Sequence, residues 1–93
     1  MRYFLKLYVT GYSAITRRAI SNLEAIKDTE LAGFCDIDVI DVLENPQCAE
    51  DDKIFLTPTL IRVLPAPTRV LVGDLSNREE VLRGLEIDID QRA

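Results

Sequence analysis

Near the middle of the chain, Thr57-Pro58-Thr59, flanked by Leu56 and Leu60, separates two blocks of different pattern. Proline cannot donate to a sheet ladder, and only X-Pro bonds populate the cis form appreciably. A strand after Pro58 must therefore start at Thr59, behind either a cis turn or an ordinary trans proline leading into an edge strand. The residues before this turn read as strand, helix, strand, short helix. Those after it read as strand, strand, helix.

Tyr3 to Val9 alternates Tyr3, Leu5, Leu7 and Val9 on one face with Phe4, Lys6 and Tyr8 on the other. Both faces are largely apolar, as in a strand covered from both sides. Ser13 can cap a helix running to about Asp28, with Ile15, Ala19, Leu23 and Ile26 as its core stripe. Cys35 to Leu43 reads as the second strand, parallel to the first through a right-handed crossover. Asn45-Pro46 starts a short helix reaching about Lys53 or Phe55, with Gln47, Glu50, Asp51 and Lys53 on its exposed side. Thr59–Leu64 and Thr68–Val72 form a hairpin around Pro65-Ala66-Pro67. Ser76-x-x-Glu79 reads as the capping box of a last helix that carries Val81, Leu82, Leu85 and Ile89 inward, with Gly84 in its middle. The order βαβαββα is the thioredoxin-like arrangement, an α/β fold with a four-stranded mixed sheet, and 93 residues make one domain, 1–93. In that fold the Thr57–Pro58 bond is expected to be cis.

The composition excludes several functions. Net charge is −5, opposed to nucleic-acid binding. No apolar run approaches the ~18 residues of a membrane span, and the N-terminus, with Lys6 inside its apolar run, is no signal peptide. The expectation is a cytoplasmic protein whose Cys35 and Cys48 are free, buried thiols. Histidine is absent, removing the commonest metal ligand and general base. No cofactor is expected. A thioredoxin-like redox enzyme needs a low-pKa cysteine at the start of its first helix. Here that position reads Tyr12-Ser13-Ala14, and Ser13 has no imidazole to activate it. Anion binding at that helix start, as by glutathione, has no specific support. Asp36 and Asp38 share one face of the second strand and Asp41 takes the other, a pattern of solvated edge charges rather than a metal site. A non-catalytic interaction domain follows.

Lys6-Leu7-Tyr8-Val9 with Gly11, Val39 to Gln47, Ala49 to Ile54, Thr57 to Leu60, and Gly73 to Glu79 together resemble the KaiB family of circadian clock proteins. The resemblance implies a regulator that docks on the N-terminal ATPase domain of a KaiC hexamer and modulates its phosphorylation and ATPase cycle. It implies KaiA and a competing sensor histidine kinase as further partners. Carried over by position, the KaiC-facing residues are Gln47, Glu50, Asp51 and Lys53, with Lys6, Arg18 and Arg62 as outer members. The family's second strand, apolar and basic, recruits KaiA; here Asp36 and Asp38 occupy it, a charge change opposed to that role. The resemblance also implies a second, ground-state fold, βαββααβ, as a homotetramer, beside a monomeric thioredoxin-like binding form. Thr57, Pro58, Gly84 and Glu86 are the positions tied to that switch. Glu86 stands where the family commonly has Asp, and the acidic tail of the cyanobacterial proteins is missing. Because the signals after Pro58 favour hairpin then helix, this chain is expected to rest in the thioredoxin-like form. Two further readings are a sensory input domain like that of the clock-output kinase, and a thiol oxidoreductase.

Overall fold

The computed structural model describes residues 2–87. Its elements are β1 (Tyr3–Val9), α1 (Ala14–Thr29), β2 (Cys35–Asp41), α2 (Pro46–Asp51), β3 (Thr59–Leu64), β4 (Arg69–Val72) and α3 (Arg78–Gly84). This is the expected βαβαββα order, not the βαββααβ alternative. The strands lie in the order β2-β1-β3-β4. β2 runs parallel to β1, while β3 is antiparallel to both β1 and β4, so the sheet is mixed. The Thr57–Pro58 bond is cis, as are Leu64–Pro65 and Ala66–Pro67.

Alternation along β1 builds two cores. Leu5, Leu7 and Val9 meet Ala19, Leu23 and Ile26 of α1, Val81 and Leu82 of α3, and Leu85 at its C-cap. On the opposite face Tyr8 and Ile61 meet Ala49 of α2. The second layer is thin because α2 has six residues, against sixteen in α1.

Several local expectations are corrected. Ile15 is exposed, and Thr16 takes its place in the buried stripe of α1. The cap of that helix is Ser13, as expected, accepting from the Thr16 backbone N–H. Asn45 stands at the N-cap of α2 without capping it, because its amide instead donates to the Asp41 carbonyl at 3.3 Å. β2 stops at Asp41, whose carboxylate accepts from the N–H groups of Gly11 and Leu43 and so closes the turn. The cap of α3 is Asn77 rather than Ser76, accepting from the Glu80 N–H at 3.1 Å. Gly84 ends α3 rather than lying in its middle. Cys48 is exposed, whereas Cys35 is buried, and burial raises its thiol to about 11. Ile89 lies outside the described residues.

Two helices end in the same way. After α2, the N–H of Lys53 donates to the Glu50 carbonyl and that of Ile54 to the Ala49 carbonyl. After α3, Glu86 donates to Arg83 and Ile87 to Leu82. These are Schellman motifs, whose C′ residue must be left-handed and is usually glycine. Here Lys53 (φ 57°) and Glu86 (φ 56°) fill it. That is why α2 stops at Asp51 instead of running on to Lys53 or Phe55.

Candidate functional site: the outer face of α2

α2 is held to the sheet by its C-terminal end. The Tyr8 hydroxyl, at the end of a wholly buried side chain, donates to the Asp52 carboxylate at 2.5 Å and lies 3.2 Å from the Cys48 carbonyl. The Lys6 ammonium reaches the same carboxylate at 3.2 Å. Burial, then the Asp52 hydrogen bond, push the Tyr8 phenol well above its ordinary value. The Tyr8 hydrogen bond, with Lys6 behind it, holds Asp52 below the usual carboxylate range. Alternation explains the arrangement: Lys6 and Tyr8 are two apart on β1 and point to one face.

This anchorage turns Gln47, Glu50 and Asp51 outward, all exposed. Gln47 donates to Asp51 at 2.8 Å, one turn away. Lys53 leaves the helix in its left-handed turn and is exposed beside them. The structure therefore brings Gln47, Glu50, Asp51, Lys53 and Lys6 together. Arg18 is on α1, in the opposite layer, 3.7 Å from Asp74. Arg62, expected as an outer member of the surface, is 4% exposed. It points to the α3 side, donating to the carbonyls of Leu85 (2.5 Å) and Pro67 (2.7 Å), so in this fold it ties α3 to the hairpin instead of facing a partner. Asp36 and Asp38 are exposed on the β2 edge, Asp36 in a two-bond pair with Arg2 at 2.8 Å. Tyr8 and Asp52, the anchor of α2, are not among the residues expected at this site. The signal was a tyrosine inside an otherwise aliphatic strand, since a buried phenol needs a polar partner.

Tyr8→Phe tests the anchor. Losing a hydrogen bond to a charged, partly exposed acceptor is expected to cost about 1–2 kcal/mol. Asp52, being depressed in the folded state, stabilises the fold fully above its unfolded pKa of 3.8, and that contribution is lost as pH falls through the lower folded value. The gap between Tyr8→Phe and the parent in urea melts should thus be widest near neutral pH and narrow in acid. A gap independent of pH would show that the hydroxyl does not act through Asp52.

The first helix starts with Tyr12-Ser13-Ala14, and the two cysteines lie in different layers, Cys35 under α1 and Cys48 on α2. Fold and site together define a thioredoxin-like domain that presents a polar helix face, with no cysteine at the helix start where redox thioredoxins carry theirs. The chain belongs to the KaiB family: the model described as "KaiB domain" matches residues 6–87. It is 52% identical over 91 residues to the circadian clock oscillator protein KaiB of Parasynechococcus marenigrum, covering 98% of this chain and 88% of that one. Among solved structures it is similar to the N-terminal domain of Synechococcus elongatus SasA, with a TM-score of 0.75 at 23% identity over 95% of this chain and 87% of that one. It is also similar to mitochondrial thioredoxin 3 of Saccharomyces cerevisiae, with a TM-score of 0.72 at 13% identity over 90% and 76%. At those identities the structures speak for the fold. Among the described residues no helix is long and apolar enough to cross a membrane.

Proposed function

We propose that this protein is a non-catalytic, cytoplasmic regulator of a KaiC-type ATPase ring, docking in its thioredoxin-like form on the N-terminal ATPase domain through the outer face of α2. The observation that carries the reading is the fixed presentation of Gln47, Glu50 and Asp51 by the Tyr8–Asp52–Lys6 anchor, with Lys53 at the end of the helix. A short helix clamped by its C-terminal end offers a polar surface that need not be ordered on binding, which favours affinity. Docking would modulate the ring's phosphorylation and ATPase cycle. The exposed Asp36 and Asp38 make the β2 edge a poor acceptor for an added strand, so KaiA capture is not part of the proposal.

The test is capture of an ATP-loaded KaiC ring by the full chain and by Glu50→Lys and Lys53→Gly. Glu50→Lys reverses a charge at the centre of the face and is expected to abolish capture while leaving the fold intact. Lys53→Gly separates stability from binding. Glycine relieves the left-handed residue and should raise stability by about 0.5–1 kcal/mol, while the lost ammonium should weaken capture. Capture unaffected by either substitution, or absent for the parent chain under every nucleotide condition, would overturn the proposal.

A further inference from the structure

The two edges of the sheet differ in a way that the docking face does not use. The β2 edge is guarded by Asp36 and Asp38. Charges of this kind block strand addition. On β4 the one charge, Arg69, stands on the α3 face and is paired with Glu86, so the α2 face of that edge carries none. Val70 and Val72 are 57% and 58% exposed on the α2 side of the sheet, and among the described residues no strand pairs with the outer side of β4. The backbone is open there too. Gly73 N–H donates inward to the Pro58 carbonyl at 2.9 Å. By alternation, the N–H and C=O groups of Val70 and Val72 point out of the sheet.

Beside this edge lies a groove of about 230 Å³, made because six-residue α2 covers only the β1 side of its face. Ile54, Phe55, Leu56, Ile61, Val70 and Val72 line it, and Phe55 is 87% exposed. Two charged residues border it, Asp52 and Lys53. Tyr8 and Lys6 both reach Oδ2 of Asp52. Lys53 has no side-chain partner among the described residues. The groove therefore offers apolar lining, two outward pairs of ladder groups and, at its border, the ammonium of Lys53.

The geometry points to strand addition at β4: an extended segment of another protein pairs with Val70 and Val72, sets alternate apolar side chains into the groove, and places a carboxylate beside Lys53. Backbone pairing supplies the affinity and the alternate side chains the selectivity. A second copy of this chain is the poorer occupant. Its own Arg69–Val72 would bring an arginine rather than a carboxylate, and each copy carries a net charge of −5. The inference stands apart from ring docking and shares Lys53 alone with it.

The experiment is a titration of the isotope-labelled full chain with a synthetic peptide, Val-Thr-Val-Thr-Val-Glu, and with its twin ending in lysine, followed by amide NMR shifts and by sedimentation. The expected result is saturable shifts at Val70, Val72 and Phe55 in a chain that stays monomeric. The lysine twin should bind about two- to fivefold more weakly, as for an exposed ion pair, and Lys53→Glu should reverse that order. Val72→Lys, at an exposed site that can change without loss of the fold, should abolish the shifts. Shifts confined to Cys35–Asp41, no shifts, or equal affinity for both peptides would overturn the inference. Concentration-dependent shifts at β4 without peptide would assign the edge to a second copy and overturn it equally.

Discussion

Replacing Arg78 with methionine is expected to lower the stability of this domain by about 2–4 kcal/mol. The reason is Glu30. Its carboxylate, at the C-cap of α1, is 2% exposed and accepts from the Arg78 guanidinium, the first residue of α3, and from the Thr29 hydroxyl. Removing one partner of a buried pair leaves an uncompensated charge and costs about 3–5 kcal/mol when both groups are buried. The Arg78 side chain is 58% exposed, so water already screens part of the attraction and the lower range applies. The asymmetry is the sharper expectation. Glu30→Gln removes the buried charge and leaves an arginine that water can solvate, so it should cost well under half as much. The double variant Glu30→Gln with Arg78→Met should be more stable than Arg78→Met alone. Urea melts of the three variants read this directly. Equal losses for the two single variants would mean that the pair is not acting as a desolvated charge and its partner.

Gly84→Ala is the second large effect, and its sign runs against helix propensity. In an exposed helix, alanine for glycine gains up to about 1 kcal/mol. Here an added Cβ would sit 2.3 Å from Cδ2 of Leu71 and 3.0 Å from its Cγ and Cδ1. Leu71 lies on the α3 side of β4, so either its side chain leaves the first core or α3 lifts from the hairpin. Overpacking of this kind costs about 1–3 kcal/mol, leaving a net loss. Leu71→Ala should relieve the clash, giving a coupling of about 1 kcal/mol or more between the two sites. Additive losses would place the glycine's role elsewhere. The family resemblance ties Gly84 and Glu86 to rearrangement of the second half. In this form the glycine is the point of closest approach between α3 and β4, and Glu86 is the left-handed residue that ends the helix and pairs with Arg69.

Much of this was legible in the chain because the signals were local. The two-residue alternation of Tyr3–Val9, the four-residue spacing from Ala19 to Leu23, Pro46 at the start of α2 and Pro58 ahead of β3 each act within a few residues, and together they determined the element order and the polar outer face of α2. The family blocks from Lys6 to Glu79 pointed the same way. The errors of placement were local as well. Asn77 outcompeted Ser76 as a cap one residue away, and Thr16 took the buried position that Ile15 was expected to fill.

What the tertiary structure alone decided depends on residues far apart in sequence. Nothing near Arg62 says that its guanidinium will be buried on the carbonyls of Leu85 and Pro67, because an arginine in a strand is usually solvated. Nothing near Glu30 announces a buried carboxylate, whose partner is 48 residues away. The Tyr8–Asp52 anchor spans 44 residues. The groove at β4 exists only because α2 is short and sits over β1, leaving the far half of that face open. Periodicity and capping set which face of an element is apolar. Burial of a charge, the fit of a glycine against a leucine and the openness of an edge are set by what packs against that face, and that is a property of the assembled sheet.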